Sequence, residues 1–325
     1  MDMRKTKRVL ISLLTLIGLG LIFSSATYAW ITLSTINNIE GLSLTASAGD
    51  DLELSLDGEN YYNQLPGELV EALFENMRLV DVTSLDGINF ETGGLRDKGV
   101  AVANEHYISF DLWIRTTRPE HNIYLINHID SMSDFNTEEI GTYAISEGVL
   151  WVAKSGFFNG PSVDDWVEAG DIDRYYASQA VRMSFIELPN DLNAQDVRDP
   201  NDLNRFVFDP SNNPYRGYGV TYGAFSYFFQ RTRWWITAPT IIPEVSYRLT
   251  ALDPNDPYQA LDNESLIAEL QPTGITGEKD REYYSSKVRI NIWIEGWDAD
   301  AFDSIDKDRI KFQIQFKAAR PPMIG

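Results

Sequence analysis

The sequence predicts a mainly β protein, an antiparallel β-sandwich of jelly-roll type with large loop insertions and one or two short helices, preceded by an N-terminal hydrophobic helix. Three observations predict the sandwich: apolar residues recur mostly at a period of two, β-branched and aromatic residues gather in strand-length runs, and Asp/Asn/Pro-rich segments separate those runs. With 43% hydrophobic and 12% aromatic residues, the chain can bury a large core. It shows no repeat at a period of about 20–50 residues, and no Pro/Ser-rich linker that would divide it. Residues 30–325 therefore read as one elaborated sandwich domain.

The N-terminus has the layout of an export signal. Arg4, Lys5, Lys7 and Arg8 form a basic start, Val9 to Phe23 is an uncharged apolar run, and Ser24 to Ala29 is a stretch of small residues and Tyr28 ahead of Trp30. Residues 1–29 read as a signal peptide cut after Ala29, or as a signal anchor. The second outcome is open because no charge occurs from Val9 to Ile39, and about 20 apolar residues suffice to span a bilayer. The four cations keep the N-terminal end cytoplasmic in both cases, so the expected location of Trp30 onward is extracellular or at the cell surface.

Behind the leader, Leu42 and Leu44 alternate, Gly49-Asp50 turns, and Leu52, Leu54 and Leu56 alternate, a pattern that predicts a hairpin over Gly41 to Leu56. Pro66 to Leu79 carries Leu69, Val70, Leu73, Phe74 and Met77 at helical spacing. Further strands are expected over Tyr107 to Arg115, Asn122 to Ile126, Val181 to Leu188, Val245 to Leu252, Lys287 to Ile294 and Arg309 to Phe316. Val163 to Ala169 and Glu264 to Leu270 are short helix candidates, and the chief loops are Asn190 to Asn204, Asp209 to Asn213 and Asp253 to Glu264.

Charge and composition exclude several functions. The chain has 27 Lys+Arg against 48 Asp+Glu; without residues 1–29 it has 23 against 47, a net charge of −24. Such a surface repels nucleic acid and anionic headgroups, so no nucleic acid partner is expected and membrane contact is expected only through the N-terminal segment. The absence of cysteine excludes disulfides, thiolate zinc sites and cysteine nucleophiles. Only His106, His121 and His128 are present, without H-E-x-x-H, and no G-x-S-x-G or phosphate-binding glycine pattern occurs. The chain is not expected to be an enzyme.

Two clusters are candidate binding sites. Asp298, Asp300 and Asp303, followed by Asp306 and Asp308, are oxygen donors of the kind calcium prefers, yet they lack the EF-hand pattern, and Asp also favours turns. A second acidic loop holds Asp253, Asp256, Asp262 and Glu264. Calcium is the one cofactor these residues suggest, against the plainer reading of solvated loops. The tract Tyr215 to Trp235 holds nine aromatics in 21 residues, with Arg216, Arg231 and Arg233 among them. Alternation along Tyr218, Val220 and Tyr222 favours core or a subunit interface, whereas exposed rings at Trp234 and Trp235 would suit a glycan.

Several segments resemble a group of exported Firmicutes-type surface proteins: Ser25 to Trp30, Leu52 to Gly58, Tyr107 to Arg115, Ala180 to Phe185 and Val288 to Gly296. These short segments span residues 24 to 316, and through them the chain is loosely similar to the TasA and camelysin family of biofilm fibre proteins. The resemblance implies a secreted jelly-roll that forms homo-oligomers or filaments as a structural protein of a biofilm matrix. It further implies that residues 30–36, with Trp30, Ile31 and Leu33 as apolar contacts, leave their own subunit as a donor strand and pair with the next. The alternatives are an ordinary first strand, a membrane-anchored adhesin or glycan binder, and a camelysin-type metalloprotease.

Overall fold

In the computed structural model, the described residues are Thr15, 36–47, 51–74, 77–92, 99–277 and 280–323. The expected hydrophobic helix, the cleavage position Ala29 and the donor-strand residues Trp30, Ile31 and Leu33 lie outside them. The fold is mainly β, 42% strand and 11% helix, and its centre is one large mixed sheet.

Fourteen strands make that sheet: two two-residue strands, Glu91–Thr92 and Gly99–Val100, that extend it from β3, and β1 (Ile36–Ala46), β2 (Glu53–Ser55), β3 (Arg78–Thr83), β4 (Ile108–Thr116), β5 (Asn122–Leu125), β6 (Tyr143–Ser146), β7 (Val181–Leu188), β8 (Arg205–Phe208), β9 (Leu266–Glu269), β10 (Gln271–Thr276), β11 (Glu282–Glu295) and β12 (Arg309–Ala319). Its main path runs β8-β7-β11-β3-β1-β12-β5-β9, with β4 and β10 also on β11, β2 on β4, and β6 on β12. Period-two burial made β4 legible in the sequence: Ile108, Phe110, Leu112 and Ile114 are buried and the residues between them are half-buried.

Two pairings are parallel, and they overturn an all-antiparallel sheet. β1 pairs in parallel with β12 from Asn38↔Arg309 to Ala46↔Phe316, and β3 pairs in parallel with β11 through Asp81 and Val82. The hairpin expected over Gly41 to Leu56 does not form: β1 lies between β12 and β3, while β2 pairs with β4. Alternating leucines identify strands but not their partners, and partners from the far end of the chain won. β3 also changes company along its length, since Arg78–Val80 pair with β1 and Asp81–Val82 with β11. That change divides the sheet into a β1/β12/β5 half and a β11/β7/β4 half, and Leu44, Ile314 and Phe316 share one core cluster with Ile290, Phe185 and Leu112.

Helices are shorter than their periodicity suggests. The helix begun at Pro66 is α1 (Gly67–Glu71), and Leu79 belongs to β3 instead. Residues 163–169 give a 3-10 turn and a two-residue strand, and residues 264–270 give strand β9. Val245 to Leu249 forms no strand, and the aromatic tract forms α2 (Ala224–Thr232) rather than alternating strand. α2 buries Tyr227 and Phe228 beside Trp151, Phe157, Tyr175 and Phe302. Trp151, Phe157, Tyr175, Tyr227 and Phe302 form a ring cluster with centroids 5.2–6.2 Å apart, mostly edge to face.

Phe302 touches each of the other four rings, so Phe302→Ala is expected to lower the unfolding free energy by about 3–5 kcal/mol. Val197→Ala, at an exposed loop position, is expected to change it by less than about 0.5 kcal/mol. Urea unfolding of both variants checks the contrast.

Candidate functional site

The strand registers bring charge together at one end of the β7/β8/β11 half. Arg182 faces Trp293 across β7 and β11. One residue beyond the Met183↔Phe208 pair it also faces Asp209, at the end of β8. The turn after β11 adds Asp298 and Asp300. Met183, Phe185, Ile290 and Ile292 face the main core, and alternation puts Arg182 and Trp293 on the other face of the sheet, where Trp293 packs with Val82, Phe90 and Tyr107.

Arg182 is the hub. Its Nη2 lies 2.5 Å from Asp298 Oδ2 and 2.8 Å from Asp209 Oδ2, and its Nη1 donates to the Val181 carbonyl at 2.7 Å. The contact with Asp209 is ionic without hydrogen-bond alignment at Oδ2. Burial disfavours the charge on Arg182, but Asp209 and Asp298 outweigh it and hold the guanidinium above its usual range. Nearby Glu295 accepts from Trp293 Nε1 at 3.1 Å, Trp297 N–H at 3.1 Å and Ser84 N–H at 3.4 Å. Burial nonetheless pushes Glu295 and Asp209 above the ordinary carboxylate range, and pushes Asp298 up to about 8.

The calcium candidates do not converge on one point. Asp298 is taken by Arg182, Asp300 by a two-pronged pair with Arg216 (2.7 and 2.9 Å), and Asp303 by Lys154 at 2.7 Å. Arg216 also donates through Nη2 to Asn159 Oδ1 at 2.9 Å. Each carboxylate thus already has a cation from the protein, and among the described residues no group of three His, Cys, Asp or Glu is placed to hold a metal. In the second acidic loop, Asp256 pairs with Arg320 and Glu264 with Arg248. The histidines are scattered and each meets a backbone group: His106 Nδ1 accepts from Val102 N–H, His121 Nδ1 contacts the Pro119 carbonyl, and His128 Nε2 contacts the Pro210 carbonyl, 82 residues on.

Beside the cluster lies an open groove of about 920 Å³. One wall is β8 with Arg205, Phe206 and Val207; opposite it stand Glu244 to Arg248 and the approach to β9 with Asn263 and Glu264. A narrower crevice shares Leu85, Val207 and Val245 with the groove and reaches Arg182 and Glu295. β8 ends the main sheet path, so part of its backbone faces the groove. The Asn204 carbonyl accepts from Glu187 N–H on β7, and by alternation Arg205 and Val207 point their backbone groups outward. The Val207 carbonyl is used by Ser246 N–H. The Arg205 N–H and C=O and the Val207 N–H form a short open edge.

The other sequence candidates, Trp234 and Trp235, are exposed on the segment after α2, while Tyr227 and Phe228 of the same tract are buried. The aromatic tract is therefore split between core and surface. Sequence reading missed Arg182, Asp209 and Glu295; a charge among the apolar residues of Val181 to Phe185, and another at the end of Ile290 to Ile294, were the available signals. No protein family, curated protein or solved structure matches the chain.

Asp298 loses its proton near pH 4 when unfolded but near pH 8 when folded, so folding takes up a proton between those values. Its contribution to stability is fully present below the unfolded value and is lost as pH rises through the folded one. Asp298→Asn keeps the neutral form at every pH. Relative to the native chain, its stability is expected to improve on the order of 4 kcal/mol between about pH 5 and about pH 9, read from urea midpoints at both values; parallel pH profiles would contradict the assignment.

Proposed function

We propose that the protein is a secreted or cell-surface structural protein that assembles head to tail into an extracellular filament or matrix, each subunit adding its N-terminal strand to the next. The observation that carries this reading is the position of β1. It is an inner strand held on both sides, by β12 and β3, and residues 30–35, uncharged and rich in β-formers, stand directly ahead of it. Ile36 N–H donates to Asp306 Oδ1 at 3.2 Å, and the Ile36 carbonyl accepts from Lys307 N–H at 2.8 Å. With β1 fixed at that point, an uncharged, β-prone sequence ahead of it is suited to pairing its backbone with an open strand edge.

The open edge of β8 in the groove supplies such a partner on another copy. Strand addition draws its affinity from main-chain hydrogen bonds, so it needs no special side-chain motif. Joining the N-terminus of one subunit to the β8 edge of the next is heterologous, and it propagates unless a rotation closes the ring. In this reading the two halves of the sheet, divided where β3 changes partners, pack face to face as a jelly-roll-like sandwich, a packing supported by their shared core cluster. In this reading the chain is non-enzymatic: Arg182, Arg198, Arg216 and Lys154 are paired with carboxylates, and each histidine meets a backbone group.

A glycan-binding surface protein using Trp234 and Trp235 is the second reading, favoured by the exposure of both rings. Against it, residues 234–243 offer only Thr237 and Thr240 as polar side chains beside the indoles, few groups with which to orient a sugar.

Arg205→Pro removes an outward N–H and no sheet hydrogen bond, a substitution that edge strands accept. The variant is expected to fold, to remain monomeric and to form no filaments by negative-stain microscopy, as is the chain lacking residues 30–35. Filaments of normal length from both would refute strand addition at this edge, whereas their loss in the deletion alone would keep strand addition and move the acceptor elsewhere.

A further inference from the structure

The segment Trp234 to Pro243 is largely exposed and apolar, ten residues without a charge in a chain of net charge −21. Trp234, Trp235, Ile241 and Ile242 are 54, 79, 69 and 60% exposed, all within nine residues of one another. Water contact for two indoles and two isoleucines is unfavourable by the same transfer free energy that builds the core, and exposed apolar groups gathered in this way mark an interaction surface. The base of the segment is fixed. Ile236 is partly buried against the main core, Trp235 meets Phe229 edge to face at 5.6 Å, and Pro239 and Ile242 sit over Gly219. Gly219 has φ +79°, and a Cβ there would lie 3.2 Å from Pro239 and 3.4 Å from Ile242.

A cation stands at the start of this segment. α2 ends on Arg233, whose left-handed φ of 58° turns the chain out of the helix while its N–H caps the Phe229 carbonyl at 2.8 Å. The Arg233 side chain is exposed; its Nη1 donates to Gln230 Oε1 at 2.6 Å, and among the described residues it has no carboxylate partner. In a chain with so many acids, an exposed arginine paired with none of them beside two exposed tryptophans is a local reversal of the surface charge.

We propose that the loop from Arg233 to Pro243 docks the protein on a lipid bilayer, with Trp234, Trp235, Ile241 and Ile242 entering the headgroup boundary and Arg233 meeting lipid phosphate. Indoles favour that boundary because an apolar ring and an N–H donor are both satisfied there, and arginine beside them reaches the phosphates. Isoleucines have no use at a sugar face, where stacking needs flat rings, but they fit an acyl boundary. The uncharged run Val9 to Phe23 and its basic flank give the same chain a reason to be at a membrane during export. The acidic remainder of the surface opposes anionic bilayers over roughly one Debye length, about 10 Å at 0.1 M salt. Docking on a zwitterionic bilayer follows, with anionic lipid adding little.

The native chain has no cysteine, so one label can be placed on the loop. The full-length Thr237→Cys protein carrying an environment-sensitive fluorophore is mixed with phosphatidylcholine vesicles, with and without phosphatidylglycerol. Because the apolar run of residues 1–29 can itself bind the vesicles, the readout is the depth of the loop. The expected result is a severalfold rise and blue shift in emission, with protection from iodide quenching, that Trp235→Ser combined with Ile241→Ser abolishes. The same label at exposed Val197 (Val197→Cys) is expected to remain quenchable. A label at residue 237 that stays open to iodide on vesicles would overturn the proposal. So would a shift without vesicles that grows with protein concentration, which would assign the loop to a second copy, or one produced by soluble glycan, which would assign it to sugar.

Discussion

The parallel pairing of β1 with β12 is the constraint on which the rest of the structure depends. It joins residues at opposite ends of the chain, Asn38 with Arg309, so the ladder closes only when everything between has been accommodated. The register shifts between Ile39 and Gly41, and Glu40, the residue in that irregularity, forms a two-pronged ion pair with Arg309 at 2.6 and 3.0 Å. Arg309 reaches Glu147 as well, at 3.1 Å. At the entrance of the same strand Asn37 is buried, and neither polar atom of its side chain has a hydrogen-bond partner. The position of β1 thus rests on its ladder and its alternating leucines and not on Asn37.

A second constraint is the balance of charge. With fewer cations than acids, the fold uses its buried arginines as shared counterions: Arg182 serves Asp209 and Asp298, and Arg198 serves Glu187 and Asp196. At Arg182 two carboxylates exceed the charge of one guanidinium, and burial raises the proton affinity of both; at half-buried Arg198 the hydrogen-bonded guanidinium instead holds Asp196 below the usual carboxylate range. Such clusters specify which strand ends meet more than they add net stability, because removing the charges from water is costly. Here they fix the end of β7, β8 and β11 next to the groove, and the open edge of β8 inherits its position from them. The loop after α2 needs no such counterions, since Trp234 to Pro243 carries no charge.

What could be read from the sequence was local. β4, the start of β7 and the central parts of β11 and β12 were legible because apolar residues recur there at a period of two, over Ile108 to Ile114, Val181 to Phe185, Val288 to Ile294 and Ile310 to Phe316. Partners were not legible: Leu42 and Leu44 pointed to a hairpin with Leu52 and Leu54, whereas their ladder partners are Phe312 and Ile314. The acidic run after β11 was visible as a cluster, but its cations are Arg182, Arg216 and Lys154, up to about 150 positions upstream, and proximity of that kind leaves no local trace. In the aromatic tract the alternating Tyr218, Val220 and Tyr222 lie in turns and irregular chain, and the helix forms downstream over Ala224 to Thr232.

The central claim is that the residues ahead of β1 pair with the β8 edge of another copy. Because the chain contains no cysteine, the most direct measurement is oxidation of the full-length protein carrying Leu33→Cys and Val207→Cys, followed by non-reducing electrophoresis. Strand addition predicts a ladder of covalent multimers that collapses to monomer on reduction and is absent from either single variant. Monomer alone, or one closed within a single chain, would contradict it.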